Sequence, residues 1–152
     1  MMDMDIVKAG INDLPAILSL QKLAYQSEAQ AVHDFSIPPL TQTLEGITDD
    51  FKGGIILKAV RQGEIIGSVR GRVSAGTLYI GKLIVNPPFQ NQGVGTALLS
   101  GIEALYPHMR YELFTSEKSS KNLSIYTKNG YKEFKREPLN GRVDLIFLEK
   151  QG

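Results

Sequence analysis

The chain has 152 residues, a formal net charge of +1 at pH 7 and no cysteine. This length suits a single domain over residues 1–152 that folds without a disulfide, and the missing cysteines exclude thiolate zinc sites and cysteine nucleophiles. No basic run indicates a nucleic-acid partner, the first ten residues are too polar for a signal peptide, and no apolar run is long enough to span a membrane. We therefore expect a soluble cytoplasmic protein with no nucleic-acid or membrane partner.

The first third of the chain is predicted to be mainly helical. A short strand at residues 5–8 precedes a helix that Asn12 or Asp13 can cap. A loop over residues 32–40 follows, and Thr41 is placed to cap a second helix. Loops of this kind often shape pockets, so the loop is a candidate acceptor region.

Three strands are predicted next, over residues 55–61, 65–73 and 77–86, joined by glycine-containing turns. In the second of them Arg70 and Arg72 alternate with apolar residues, as in a strand with one polar face. The third contains a continuous apolar run, which indicates burial on both faces.

A strand, a helix and a strand then succeed one another within about 40 residues, which predicts a right-handed parallel crossover at the middle of the sheet. In the helix, Val94, Leu98, Ile102 and Leu105 share one face. The returning strand is predicted at residues 110–115.

The last part of the chain is predicted to be a short helix and a hairpin. Ser119 or Ser120 can cap the helix, and the hairpin joins residues 131–136 to residues 143–149. We interpret the whole as one α+β domain with a mixed sheet. The exposed strand at 143–148 is a candidate for pairing between subunits, which makes a homodimer one option for the oligomeric state.

The turn before the central helix can bind an anion. Gly93 and Gly95 stand where the strand ends and the helix begins, so backbone N–H groups point outward and a diphosphate can approach them closely. The turn is not a Walker motif, because Thr96 follows its last glycine, nor a dinucleotide fingerprint, because Leu98 stands in place of the third glycine. The nearest cations that follow in the sequence are Lys118, Lys121 and Lys128.

Two segments together resemble the GNAT superfamily of N-acetyltransferases. Gln90-x-x-Gly93-x-Gly95 is similar to the family's coenzyme A signature, and Asn122-x-x-x-Tyr126, followed by Gly130-Tyr131, resembles its later motif. The resemblance implies a GNAT-like fold, in which about four helices flank a mostly antiparallel, twisted sheet with one splayed parallel strand pair. It also implies acetyl-coenzyme A as co-substrate, no metal, and transfer of the acetyl group to an amine of a small molecule or a peptide.

The resemblance implies a set of coenzyme-binding residues on the third strand, in the glycine turn and on the short helix. They are Leu83, Ile84, Val85, Gln90, Asn91, Gln92, Gly93, Val94, Gly95, Thr96, Asn122 and Tyr126. Within this set the main-chain N–H of Ile84 or Val85 is the candidate oxyanion donor, on a strand that the resemblance implies to be irregular and opened.

Tyr126 is the candidate acid for the departing thiolate. A helix places Asn122 and Tyr126 one turn apart on the same face, so that both can contact one extended ligand. A phenol can donate a hydrogen bond or a proton to sulfur, although its ordinary pKa is about 1.5 units above that of a thiol.

The general base is less defined by the sequence. Several relatives carry a glutamate on the strand before the glycine turn, where this chain has Lys82. Glu112, on the neighbouring parallel strand, is the candidate catalytic base through a water molecule, and Glu28 or His33 are alternatives. Two other functions stay open: a non-catalytic acyl-coenzyme A-binding or regulatory module, and a nucleotide-binding domain. No particular amine is indicated.

Overall fold

A seven-stranded mixed sheet organises the protein, which we describe from a computed structural model that covers residues 3–141 and 143–152. Arg142 and the first two residues lie outside this description, as does the side chain of Asn140 in the predicted hairpin turn. The strands are β1 (Asp5–Lys8), β2 (Ile55–Arg61), β3 (Glu64–Ser74), β4 (Thr77–Val85), β5 (Arg110–Ser116), β6 (Lys132–Asn140) and β7 (Val143–Gln151).

Five α-helices of at least seven residues and one single-turn α-helix accompany the described strands, together with two 3-10 turns at Ile11–Asp13 and Pro87–Phe89. They are α1 (Leu14–Ala24), α2 (Gln26–Val32), the single turn α3 (Pro38–Thr41), α4 (Leu44–Gly53), α5 (Val94–Leu105) and α6 (Ser120–Lys128). Within the described part of the chain, none of them is long and apolar enough to cross a membrane.

The strand order is β1-β2-β3-β4-β5-β7-β6, and β4 with β5 is the parallel pair. Because α5 connects these two strands, the predicted parallel crossover is confirmed. β7 lies between β5 and β6 and pairs with both, so the expectation that residues 143–148 offer a free edge is wrong. The chain places β6 at the edge instead.

β4 and β5 diverge soon after they meet. Their pairing covers only the register from Thr77 with Arg110 to Tyr79 with Glu112. Further along, the register between β3 and β4 shifts, and Lys82 adopts a left-handed conformation with φ of 50°. This bulge confirms the irregular, opened strand that the family resemblance implied, and it leaves a gap between the two strands at the middle of the sheet.

Helices cover both faces of the sheet. Leu98 and Ile102 of α5 are fully buried in the main core, whereas Ile17 of α1 and Ile47 of α4 are buried on the opposite face. Leu105 was predicted to belong to the buried stripe, and this prediction is wrong. It is the last residue of α5 and is 43% exposed, because the helix ends there.

The region before β2 differs from its prediction in two ways. The residues predicted as a loop include α3, which begins at Pro38, and α2 was not predicted. The cap of α4 is Thr43 rather than Thr41, because α3 ends at Thr41 and the Thr43 hydroxyl accepts a hydrogen bond of 3.0 Å from the N–H of Gly46.

Candidate active site

A cavity of about 730 Å³ opens where β4 and β5 diverge. Its wall combines the end of β4, the turn into α5, the first two turns of α6 and the junction of α1 with α2. The first two of these segments are adjacent in the sequence, but α6 and the junction of α1 with α2 are far from them, so the cavity is formed by the fold. Ten of the twelve predicted coenzyme-binding residues line it: Leu83, Ile84, Val85, Gln90, Asn91, Gly93, Val94, Gly95, Thr96 and Asn122.

The glycine turn has the geometry of an anion cradle. Gly93 precedes α5 with φ of 85°, and a side chain there would meet nothing within 4 Å, so the space in front of the turn is open. The first α5 hydrogen bond runs from the N–H of Ala97 to the carbonyl of Gly93. The N–H groups of residues 94–96 therefore have no acceptor within the helix and are available to an anion, as predicted.

Two glutamine side chains stabilise this turn through hydrogen bonds to main-chain carbonyl groups. The Gln90 amide donates to the carbonyl of Val85 at 3.2 Å, and the Gln92 amide donates to the carbonyl of Pro88 at 3.2 Å. Gln92 is thus turned away, and it is not among the described residues that line the cavity. Its predicted role in coenzyme binding has no support from its side chain.

The three lysines named from the sequence all line the cavity on the α6 side. Lys121 donates a hydrogen bond of 3.3 Å to Gln90 Oε1, which places its ammonium beside the glycine turn. A side chain at Gly95 would approach Ile125 Cδ1 to 3.2 Å, so the small residue lets α6 pack closely against the start of α5. The cradle therefore has lysine ammonium groups beside it.

The predicted cap of α6 has a different function. Ser119 occupies the N-cap position, but its hydroxyl donates a hydrogen bond of 2.7 Å to Glu28 Oε1 instead of capping the helix. Since Glu28 lies on α2, this bond joins the two sides of the cavity. Burial raises the pKa of the Glu28 carboxyl, and the hydrogen bonds from Ser119 and from the N–H of Ser116 oppose the rise.

Two tyrosines accompany Glu28. Tyr25 lines the cavity, while Tyr126 is only 4% exposed and lies behind the lining. Neither hydroxyl makes a hydrogen bond with the residues that the structure describes. Burial raises the pKa of both phenols, and the Glu28 carboxylate raises each further, so both hydroxyls stay protonated at neutral pH.

Glu112 is not brought to the cavity. It is half-buried at the paired end of β5, where its carboxylate forms an ion pair of 2.8 Å with Arg110. Arg110 also contacts Glu149 at 2.8 Å, so Glu112 belongs to a charge network on β5 and β7. His33 is exposed at the end of α2 and, like Glu112, is absent from the described lining.

A second polar cluster, missed by the sequence analysis, lies beside this site. Arg70 is 7% exposed rather than on a polar face, because α1 and α4 cover that side of β3. Its guanidinium donates to Gln21, to Gln42 at 2.9 Å and to Asp50 at 2.8 Å. The signal that could have indicated burial is the strand's central position between two other predicted strands.

Comparison with known proteins agrees with this geometry. A family model described as Acetyltransferase (GNAT) family matches residues 14–131. No curated protein sequence matches the chain. The fold is that of PaiA N-acetyltransferase from Thermoplasma acidophilum in complex with coenzyme A, with a TM-score of 0.80, 18% identity, and coverage of 99% of this chain and 100% of that one.

Two further solved structures share the fold. The ribosomal-protein-S18-alanine N-acetyltransferase from Escherichia coli has a TM-score of 0.79 and 17% identity, with coverage of 98% of this chain and 94% of that one. YncA from Salmonella typhimurium, solved with acetyl-coenzyme A, has a TM-score of 0.74 and 18% identity, with coverage of 97% and 93%.

An open parallel strand pair with an amide cradle beside it defines the class of coenzyme A-dependent acyltransferases. Within that class, the chain belongs to the GNAT acetyltransferase family, as the match over residues 14–131 shows. It is an acetyl-coenzyme A-dependent N-acetyltransferase, as the two motifs had implied. The separate readings as a nucleotide-binding domain or a non-catalytic module are set aside.

Proposed function

We propose that the enzyme acetylates an amine by direct attack in a ternary complex, with Glu28 as general base and Tyr126 as the hydrogen-bond donor to the departing sulfur. One observation carries the proposal. Glu28 of α2 and Asn122 of α6 both line the cavity onto which the glycine turn opens, and Tyr126 lies one helical turn after Asn122, buried behind that lining. The proposed base therefore lines the same cavity as the anion-binding turn, and the proposed hydrogen-bond donor lies directly behind that lining.

Acetyl-coenzyme A supplies an activated thioester, and the protein's part is to bind and orient it. The N–H groups of Val94, Gly95 and Thr96 would hold the diphosphate, with Lys121 beside them. Main-chain groups of Leu83 and Val85 would hold the pantetheine arm in the gap between β4 and β5. The open space in front of Gly93 is consistent with this placement.

Glu28 replaces Glu112 in the proposed role because its position and its pKa both suit a base. It lines the cavity, and burial raises the pKa of its carboxyl toward the pH at which a base works best. The raised pKa of Tyr126 makes complete proton transfer to sulfur more costly, so hydrogen-bond donation to the developing thiolate is the larger part of its role.

Steady-state kinetics test the proposal through Tyr126→Phe. We expect intersecting initial-velocity lines for donor and acceptor, a kcat lowered by about 100-fold in the variant, and an almost unchanged affinity for acetyl-coenzyme A, because the hydroxyl acts only as the thioester is cleaved. Thiol release measures the rate and calorimetry measures the affinity. The amine is chosen from a panel of polyamines, aminoglycosides, amino acids and peptides.

Tyr79→Phe is the matched control. Tyr79 is exposed, lies at the paired end of β4 and is absent from the described cavity lining, so loss of its hydroxyl should leave kcat unchanged. Parallel velocity lines, or a Tyr126→Phe enzyme as fast as the parent, would contradict the proposed mechanism.

The cytoplasmic location, the single domain over residues 1–152 and the oligomeric state stay predictions.

A further inference from the structure

Arg70 is a buried cation whose charge is only partly balanced. Its carboxylate partner, Asp50, has a side chain that is 42% exposed, and its other two partners are the neutral amides of Gln21 and Gln42. The Nε atom of Arg70 is buried without a hydrogen-bond partner among the described residues. Buried charges are normally fully hydrogen-bonded, so this arrangement is incomplete in the protein alone.

Lys82 adds a second cation to the same region. It stands at the bulge in β4, is half-buried, and makes no hydrogen bond or ion pair with any residue in the described ranges. Burial lowers the pKa of its ammonium, and the neighbouring charge of Arg70 lowers it further, while Asp50 opposes the change. Among the described residues, Asp50 is the one carboxylate that forms an ion pair with either of these two cations, Arg70 and Lys82.

This positive cluster lies next to the cavity but apart from the glycine turn. Neither Lys82 nor Arg70 is among the described residues that line the cavity, but Lys82 immediately precedes Leu83, which does. Arg70 donates to Gln21 of α1, and the last residue of that helix, Ala24, also lines the cavity. Arg70 pairs in register with Ile56, which packs in the core with α1, whereas α5 packs on the other face of the sheet. The anion that this cluster suits is therefore not the diphosphate of the donor.

We infer that Lys82, with Arg70 behind it, recognises an anionic group on the acceptor, so that the substrate is an amine that also carries a carboxylate or a phosphate. The inference rests on the proposed function and specifies its substrate class. The carboxylate of Glu28 accepts the hydrogen bond from Ser119 and forms no ion pair with Lys82 or Arg70 among the described residues, so it does not neutralise this cluster. Lys82 is a specificity-determining residue and takes no part in proton transfer.

Matched pairs of acceptors test the inference. Glycine, alanine and glutamate are compared with their methyl esters, and phosphoethanolamine with ethanolamine, in thiol-release assays and in calorimetry on the protein saturated with coenzyme A. We expect at least one anionic member to exceed its neutral partner by about tenfold or more in kcat/KM or in affinity, since a hydrogen bond to a charged group has that strength. The carboxylate and phosphate pairs distinguish the two sources of the anion.

Three variants make the result specific. Lys82→Met should remove the preference for the anionic member while acetyl-coenzyme A affinity is kept, and Lys82→Arg should retain part of it. Lys132→Met, which removes an exposed lysine of the edge strand β6, should leave the preference unchanged. Circular dichroism and acetyl-coenzyme A binding verify that each variant is folded.

Two outcomes overturn the inference. One is a wild-type protein that binds or acetylates no anionic amine better than its neutral partner, including the case in which none of the anionic amines binds. The other is a preference that survives in Lys82→Met. Failure of the proposed function gives a different result, because then acetyl-coenzyme A is not bound or no amine of any charge is acetylated.

Discussion

Glu28 combines a half-buried position with an ionisable group that would have to lose its proton to act as the proposed base. In the folded protein the pKa of the Glu28 carboxyl is above its ordinary value of 4.5, so folding is more favourable when this carboxyl is protonated. The contribution of Glu28 to stability is therefore fully present below pH 4.5 and is lost as the pH rises through the raised pKa. At neutral pH the charged carboxylate therefore costs stability, which the proposed role as general base would explain.

This conflict gives a paired prediction for Glu28→Gln. The amide keeps an oxygen for the Ser119 hydroxyl but cannot accept a proton, so kcat should fall by about 100-fold or more. The acidic limb of the pH profile of kcat/KM should disappear with it. The melting temperature at pH 7 should stay equal or rise, because a half-buried charge has been removed. Thiol-release assays from pH 5 to 9 and thermal melts measure the two effects.

Glu112→Gln is the control for this experiment. Its carboxylate pairs with Arg110 outside the cavity, and we expect both the rate and the pH profile of the variant to match the parent. If instead Glu112→Gln lost the acidic limb while Glu28→Gln kept it, the assignment of the base to Glu28 would be wrong.

At the scale of elements, the junction between β4 and α5 depends on one backbone conformation. Gly93 has φ of 85° and an added side chain would meet no atom within 4 Å, so Gly93→Ala should cost about 1 kcal/mol through backbone strain alone. The same strain shifts the N–H groups of the first turn of α5. We therefore expect acetyl-coenzyme A affinity to fall by about tenfold or more, measured by calorimetry.

Gly63→Ala separates strain from binding. Gly63 has φ of 78° in the hairpin between β2 and β3, again with open space around it, so the loss of stability should be similar. Its affinity for acetyl-coenzyme A should equal that of the parent. Equal affinities in both variants would show that the conformation of the glycine turn does not matter for binding.

Most elements of the fold follow from local patterns in the sequence. Alternation and turn residues predicted the central hairpins, and the spacing of strand, helix and strand predicted the parallel pair. The cap of α4 was misplaced because Thr41 and Thr43 are equally good caps, and only the folded path after Pro38 decides between them. The burial of Arg70 was missed because alternation along β3 cannot show that α1 and α4 cover the second face.

The site was predictable only in part. The glycine turn and Asn122 carry a recognisable local motif, and the fold brings them to the cavity. Glu28 was one alternative among three because its environment depends on Ser119, a partner 91 residues away. Local sequence does not report a contact over that distance. Glu112 was placed correctly on the neighbouring strand, but its ion pair with Arg110 was not predicted.

At the scale of the whole molecule, the donor would contact three segments, β4, α5 and α6, at the same time. A ligand held by β4, α5 and α6 stabilises only the folded state, so at 100 times its Kd it should add about 2.7 kcal/mol. For a domain of this size we expect the melting temperature to rise by about 5 to 10 °C. Thermal melts with acetyl-coenzyme A measure the shift, and NAD serves as the control nucleotide. An equal shift with both would contradict a site selective for coenzyme A.

Because β4 and β5 pair over only a short register, the middle of the sheet contains unpaired strand edges. Main-chain groups of Leu83 and Val85 face a gap where a continuous sheet would have a neighbouring strand. An extended, amide-bearing arm of the donor has the right shape to fill that gap, so in the proposed complex the substrate would act as an additional strand of the sheet. A contact of this kind depends on the main chain of these residues and not on their side chains. Residues 83 and 85 should therefore tolerate exchange among Val, Ile and Leu, whereas a proline at either position should abolish binding.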